Sequence, residues 1–199
     1  GPTVVVNIGG VANIPLIAGD PLIACDTGPG NALLDDYMFR WLDQRFDAEG
    51  RTAALGRVDA AWINRALQLP FFALPPPKSL DRFDFPASAV DGLSGPDGAA
   101  TLTAFTAASI ARAREHFPDA PKGWIISGGG RHNPVMMDEL RRRLGADVKS
   151  AEDAGWRGDF MEAEAFAYLA VRSVKGLPLS LPSTTGVPYP MPGGRLHKP

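Results

Sequence analysis

The feature that most constrains the fold is the first part of the chain, residues 4–31, VVVNIGGVANIPLIAGDPLIACDTGPGN. It holds three short apolar runs, which Gly9-Gly10 and Gly19-Asp20-Pro21 separate with residues that favour turns. The first run is rich in β-branched residues, which favour a buried strand. We therefore predict an antiparallel three-stranded meander over residues 3–26, with Asp26 at the carboxyl end of its third strand.

Two glycine-rich turns precede predicted helices. Gly28-Pro29-Gly30 carries little side chain, and Gly128-Gly129-Gly130 follows an apolar run at Trp124–Ser127. Such turns let a phosphate approach the backbone N–H groups at a helix N-terminus. An aspartate at a strand end is also a common turn former, and a tight strand-to-helix turn explains the triple glycine equally well.

The composition narrows the class of protein. The 199 residues are 45% hydrophobic and 21% charged, as in a single folded domain with a substantial core. Twenty basic and 22 acidic side chains give a net charge of −2, so we expect no nucleic acid partner. Cys25 is the single cysteine of the sequence, so it cannot form a disulfide within the chain. The sequence also has no Cys/His cluster of the kind that would predict a metal site. No apolar run approaches the roughly 20 residues that cross a bilayer, so we expect no membrane span and a cytoplasmic protein.

Apolar periodicity predicts the remaining elements. We expect helices over residues 32–46, 59–69, 99–117 and 160–174, another helix beginning at Pro134, and strands at 124–127 and 147–149. Asn31 and Asp159 are the expected caps of the first and last of these helices. Trp41 and Trp62 are expected to be core or interface aromatics.

Five motifs, NIGGVAN, DTGPGN, PPPKS, GGGRHN and MEAEAFA, follow one another along the chain. Together they resemble the anhydro-N-acetylmuramic acid kinases of the sugar kinase, Hsp70 and actin superfamily. The resemblance implies an α/β, ribonuclease H-like (actin-like ATPase) lobe, with a mixed sheet and helices packed on it. It also implies that residues 1–199 form a single domain equivalent to the C-terminal lobe of a two-lobe kinase. The family's N-terminal lobe carries a phosphate loop, GTSxDG, which does not occur in this sequence.

The resemblance implies a reaction as well. The family uses ATP and Mg²⁺ to phosphorylate 1,6-anhydro-N-acetylmuramic acid while water opens its anhydro bridge, a step of peptidoglycan recycling. The expected partners are therefore the amino sugar and ATP, and a homodimer is compatible with the sequence. We expect this chain alone, without the N-terminal lobe, to be inactive. The alternative is a noncatalytic nucleotide-binding or dimerisation module of the actin or Hsp70 type, which would have no use for the sugar-side motifs.

The resemblance assigns roles to individual residues, with Asp26 as the catalytic base. The residues that it places at the nucleotide are Gly9, Gly10, Gly28, Gly30, Asn31, Gly128, Gly129, Gly130 and Asn133. Those that it places at the sugar are Asn7, Lys78, Ser79, Arg82 and Glu162. The sequence departs from the family pattern PPKSTGRE at Leu80, Asp81 and Phe83. A further segment, LPSTTGV, resembles the family's LPSVTGA, and we expect this tail to cover the surface or close the sheet edge.

Overall fold

A five-stranded sheet is the centre of the computed structural model, which describes residues 3–17, 23–117 and 119–197. The strands are β1 (Thr3–Ile8), β2 (Val11–Ile17), β3 (Ile23–Pro29), β4 (Gly123–Ser127) and β5 (Asp147–Ser150). The helices are α1 (Asn31–Leu42), α2 (Ala60–Ala66), α3 (Gly95–Arg112), α4 (Pro134–Leu144), α5 (Met161–Val174) and α6 (Pro182–Thr185). Short 3₁₀ turns connect several of these elements.

The strand order, β3-β2-β1-β4-β5, confirms the predicted ribonuclease H-like sheet. β1 pairs antiparallel with β2, and β2 with β3, so the predicted meander is present. β1 also pairs parallel with β4, and β4 with β5, which makes the sheet mixed and places β5 at its edge. The turn predicted at Gly19-Asp20-Pro21 lies outside the described residues.

The two faces of the sheet differ in their burial. Along β1, Val4, Val6 and Ile8 are fully buried, whereas Val5 and Asn7 are only half-buried. Successive side chains of a strand point to opposite faces, so one face is packed and the other is partly open. The packed face forms one hydrophobic core with α3 and α4. The open face is therefore free to contribute side chains to a site.

α3 joins this core to a second one, which it forms with α1, α2 and the loops between them. It is buried without a break from Gly98 to Ile110. The helix begins at Gly95, four residues before the predicted start at residue 99. The Ser94 side chain accepts a hydrogen bond from the Asp97 N–H, and Pro96 stabilises the first turn, so the cap extends the helix.

The predicted boundaries of α1 and α2 are wrong at their carboxyl ends. α1 ends at Leu42 because Asp43 adopts a left-handed conformation at φ 52°, and α2 ends at Ala66. Phe46 lies beyond the end of α1, and Trp41 and Phe46 are 47% and 58% exposed, although the periodicity predicted both on the apolar face of one longer helix. Trp62 is half-buried and packs edge-on against Phe105 in the second core, as expected of a core aromatic.

The last long helix is present as predicted, but its surroundings differ from the prediction. None of the residues of α5 is buried, although the spacing predicted an inward apolar stripe. Asp159 does not cap the helix, because its carboxylate pairs with the Arg131 guanidinium instead. Among the described residues, no helix combines the length and apolar character that a membrane span requires.

Candidate functional site

A row of polar side chains crosses the open face of the sheet. Asn7 on β1 is the register partner of Ser127 on β4 and of Asn13 on β2, and Asn13 is the partner of Asp26 on β3. Side chains that are directly opposed on paired strands project from the same face. The row therefore links the end of β4, where the triple glycine begins, with the aspartate that the sequence singles out.

Asp26 lies inside β3, whereas the sequence placed it at the strand's end. The strand continues to Pro29, and its register with β2 shifts between Ala12 and Asn13. Such irregularities re-aim the side chains next to them. The Asp26 N–H donates to the Lys78 carbonyl over 3.0 Å, and its carboxylate accepts the Leu80 N–H over 2.7 Å. The proline-rich segment, residues 75–80, thus holds Asp26 from the side of β3 opposite β2.

Burial changes the acid–base properties of this part of β3. Desolvation raises the pKa of the Asp26 carboxyl above its ordinary value, and the Leu80 N–H opposes that rise by stabilising the charged form. Burial also raises the pKa of the neighbouring Cys25 thiol to about 11. A thiol with this pKa stays protonated at neutral pH and is a poor nucleophile. Asp26 is therefore the proton acceptor that this strand offers.

A cavity of about 450 Å³, here called the Asp26 pocket, lies beside this carboxylate. Its walls come from β2, β3, the proline-rich segment and the residues at α6. Asn13 and Ser79 line it, together with Thr184 and Thr185. Neither of these two threonines nor Asn13 was among the site residues predicted from the sequence. The resemblance of LPSTTGV to a family segment was the available signal, but it did not indicate that the tail returns to β3.

A second cavity of about 560 Å³, the central cleft, lies over the open face of the sheet. Five predicted ligand-binding residues line it: Asn7, Gly9, Gly128, Gly129 and Glu162. Asn13 and Pro15 border both this cleft and the Asp26 pocket. The two cavities are therefore neighbours along β2. Glu162 belongs to the central cleft and Asp26 to the other cavity.

The three glycines of the turn after β4 have different roles. Gly128 has φ +72°, and a Cβ there would lie 2.6 Å from the Ile8 carbonyl oxygen. A Cβ on Gly130 would lie within 2.6 Å of two atoms of the Ile8 side chain. These two glycines let the turn pack against β1. Gly129 is exposed and faces both the central cleft and a third cavity, so it is the most accessible of the three glycines to a ligand.

The N–H groups after Gly28 are already engaged. The N–H groups of Gly30 and Ala32 donate to the Gly10 carbonyl over 3.0 and 3.2 Å, and that of Asn31 donates to the Gly9 carbonyl over 2.7 Å. They fasten α1 to the β1–β2 turn and are not free to cradle a phosphate. Asn31 also does not cap α1, because Gly30 holds that position and the Asn31 amide donates to the Ile8 carbonyl.

Other predicted site residues also hold the fold together. The Lys78 ammonium donates to the Phe71 carbonyl over 3.2 Å and lies over the Phe71 ring, and burial lowers its pKa. Arg82 forms an exposed ion pair with Asp36 on α1. The Asn133 side chain caps α4 by accepting the Met136 N–H. In the described part of the chain, the predicted residues that line none of the three cavities are Gly10, Gly28, Gly30, Gly130 and Arg82.

The third cavity, of about 320 Å³, lies between the start of α1 and the Gly129 turn. Asn31 and Asn133 line it, together with Asp35. Burial, with a smaller contribution from the charge of Asp36, raises the pKa of Asp35 to about 6. We call this cavity the side pocket. It meets the central cleft at Gly129 and His132, so a ligand longer than one cavity can extend around the glycine turn.

A buried guanidinium fixes the wall of the central cleft. The Arg131 side chain is 3% exposed, and its Nη1 donates to the Gly128 carbonyl over 2.7 Å. The same side chain pairs with Glu152 and with Asp159, just before α5. A Cβ on Gly158 would lie 2.6 Å from the Arg131 Nε, which shows how closely the chain passes. Arg131 thereby ties the glycine turn to the helix that carries Glu162.

Comparison with known proteins decides the family. The family model described as anhydro-N-acetylmuramic acid kinase matches residues 1–197. The chain belongs to this family. It is 61% identical to the anhydro-N-acetylmuramic acid kinase of Bradyrhizobium diazoefficiens, over all of this chain and 55% of that protein. It is 59% identical to the protein of the same name from Nitrobacter winogradskyi, over 100% of this chain and 55% of that protein. It is 54% identical to that from Caulobacter vibrioides, over 98% of this chain and 53% of that protein.

The chain thus spans about half the length of these curated relatives. Among solved structures, it is similar to component A of the (R)-2-hydroxyglutaryl-CoA dehydratase of Acidaminococcus fermentans, with a TM-score of 0.47 and 15% identity. That similarity covers 74% of this chain and 54% of the other.

Proposed function

We propose that the full-length protein is an ATP-dependent kinase of 1,6-anhydro-N-acetylmuramic acid, and that this chain supplies the lobe with the catalytic base. The observation that carries the proposal is the polar row from Ser127 to Asp26. It joins a cavity at a glycine turn with a cavity at a desolvated carboxylate, as a reaction between a nucleotide and a second substrate requires. Membership of the kinase family gives the substrate class.

The two cavities suggest a division of labour. The sugar would occupy the Asp26 pocket, where Ser79 and Thr185 offer hydroxyl groups. The nucleotide phosphates would lie in the central cleft near Gly9 and Gly129, and the nucleoside would extend into the side pocket. Asn13 borders both cavities and would hold the sugar's reacting oxygen close to the γ-phosphate.

Asp26 would act as the general base. Water attacks the anomeric carbon, its proton passes to the Asp26 carboxylate, and the bond from that carbon to the bridging oxygen breaks. The freed O6 takes the γ-phosphoryl group, and ADP leaves. The products are N-acetylmuramic acid 6-phosphate and ADP, with the water's proton on Asp26 until solvent removes it. A positioned base contributes roughly 10² to 10⁴-fold to such a step, and a raised pKa strengthens it as an acceptor.

The cofactor that this reaction needs is ATP with Mg²⁺, which neutralises charge on the transferred phosphoryl group. Mg²⁺ in kinases commonly takes one or two protein carboxylates and completes its shell with phosphate oxygens and water. The central cleft offers the Glu162 carboxylate and the amide oxygen of Asn7, a donor set that fits such binding. Since ATP is a cytoplasmic substrate, we place the reaction in the cytoplasm.

The test uses the full-length protein with MgATP and 1,6-anhydro-N-acetylmuramic acid. We expect ADP release to depend on the sugar, and mass spectrometry to find a product heavier by one phosphoryl group and one water. Sugar-independent ATP binding without any such product would favour the noncatalytic nucleotide-binding module instead. A product that gained only the phosphoryl group would contradict the role of water, and with it the role of Asp26.

A further inference from the structure

The outer surface of α5 has no partner in the described part of the chain. Every residue of this helix is exposed or half-exposed, and Phe166, Val171 and Val174 are 65%, 54% and 71% exposed. An isolated helix of this length is marginally stable in water, and most helices in proteins are stabilised by packing an apolar face. A helix that is well formed but unburied therefore indicates a missing contact.

The exposed residues form one continuous face. At 3.6 residues per turn, the outward positions span about 140° of the helix circumference, and all of them are apolar. They are Ala163, Phe166, Ala167, Ala170, Val171 and Val174. We call this set the outer face. Glu162 and Glu164 flank it, and no charged residue lies within it. A solvent-facing helix surface normally carries polar side chains, so this pattern is that of a buried surface.

The shape of the outer face suits a second helix. Its three alanines recur at spacings of four and three residues, which places them in one line along α5. Small side chains at a contact let two helix axes approach closely, and Phe166 and Val171 lie on either side of the line of alanines. The neighbouring exposed aromatic ring of Tyr168 extends the apolar area beyond this line.

The position of α5 indicates which part of the protein covers it. The helix begins at the rim of the central cleft, which Glu162 and Ala165 line, and Arg131 ties its start to the glycine turn. The chain amounts to 55% of the length of its Bradyrhizobium relative. Close to half of a protein of that length therefore lies outside this chain and is available to cover α5. A second lobe that closes the central cleft over a nucleotide meets α5 along the same edge.

We propose that the outer face of α5 is the docking surface for the remaining lobe of the full-length protein, which packs a helix along the line of alanines. The proposal rests on the proposed function only for the existence of a second lobe that closes the cleft. It gives α5 two roles, since one face lines the central cleft while the other fastens the lobe that covers it.

The test is hydrogen exchange by mass spectrometry on the full-length protein, with Ala167→Arg as the disrupting variant and Ala61→Arg, on an exposed position of α2, as the matched control. We expect peptides from residues 161–174 of the unsubstituted protein to exchange at least about 100-fold more slowly than an unprotected chain. Ala167→Arg should remove most of that protection, and Ala61→Arg should leave it unchanged. Buried α3 serves as the internal reference for a folded protein.

Sedimentation of the same samples separates a second lobe from a second copy. The proposal requires that protection of α5 be independent of protein concentration and that Ala167→Arg leave the oligomeric mass unchanged. Protection that disappears on dilution, or an Ala167→Arg variant with a smaller oligomeric mass, would show that another copy covers the face and would overturn the proposal. Unprotected α5 in the full-length protein would do so as well. An inactive protein with protected α5 would refute the proposed function alone.

Discussion

At the scale of single residues, Asp35 shows how the site's electrostatics act on stability. Its folded pKa of about 6 lies above the ordinary value of 3.8, so the folded state binds more protons than the unfolded state between these values. Stability therefore falls as the pH rises through that window. Asp35→Asn should raise Tm at pH 8 by about 2–4 °C, with partial exposure limiting the effect, and change it little at pH 4. Equal shifts at both pH values in calorimetry would contradict this origin.

Arg131 is the residue whose loss should loosen the cleft wall. Its guanidinium is buried, whereas Glu152 and Asp159 can rehydrate because their side chains are 49% and 73% exposed. Arg131→Met should therefore cost about 1.5–3 kcal/mol in denaturant unfolding, the range for hydrogen bonds to charged groups. Arg131→Lys should recover little of this free energy, since a lysine ammonium cannot reproduce the several fixed N–H donors of the planar guanidinium. Arg141→Met, at an exposed ion pair, should cost under about 0.5 kcal/mol. A fully stable Arg131→Lys variant would show that a point charge suffices.

At the scale of elements, the contact between the start of α1 and the β1–β2 turn depends on Gly30. A Cβ on this residue would lie 2.3 Å from the Gly9 carbonyl oxygen and 3.0 Å from the carbonyl carbon of Val11. Because these are backbone atoms, they cannot move away without distorting the β1–β2 turn. Gly30→Ala should cost about 1–3 kcal/mol in equilibrium unfolding, as overpacking does. A Cβ on Gly92 would meet no atom within 4 Å, so Gly92→Ala should be neutral or slightly stabilising. Similar losses for both would rule out the steric explanation.

The strands also show which features of the structure could be predicted from the sequence and which could not. Apolar runs and glycine turns predicted all five strands because those signals are local. The pairing of Asn7 with Asn13 could not be deduced from Gly9-Gly10, since a two-residue turn there would set Asn7 opposite Ala12, whereas the observed register sets Ile8 opposite Ala12. The position of Asp26 inside β3 could not be deduced either, because it depends on a register shift between two strands. Thr184 and Thr185 reach the same pocket through a return of the chain from more than 150 residues away in sequence.

For the whole molecule, the proposed reaction requires more of the protein than this chain contains. It spans 55% of its Bradyrhizobium relative, and phosphoryl transfer depends mainly on holding both substrates in position. We expect the 199-residue chain alone to show negligible ATP-dependent phosphorylation of the anhydro sugar under conditions where the full-length protein is active. Circular dichroism would verify that the chain is folded in the assay. Robust turnover by the folded chain would show that one lobe is sufficient.

The proposed function requires that Asp26 accept the proton of the attacking water. Steady-state kinetics of the full-length protein with Asp26→Asn measure this role, because the substitution keeps the shape of the side chain and removes its basicity. Asp36→Asn, which removes an exposed carboxylate on α1, is the matched control. We predict that kcat falls by about 10² to 10⁴-fold in Asp26→Asn while the dissociation constant of ATP changes little, and that Asp36→Asn stays near normal. A near-normal kcat for Asp26→Asn would exclude Asp26 as the general base and leave it as a structural residue of β3.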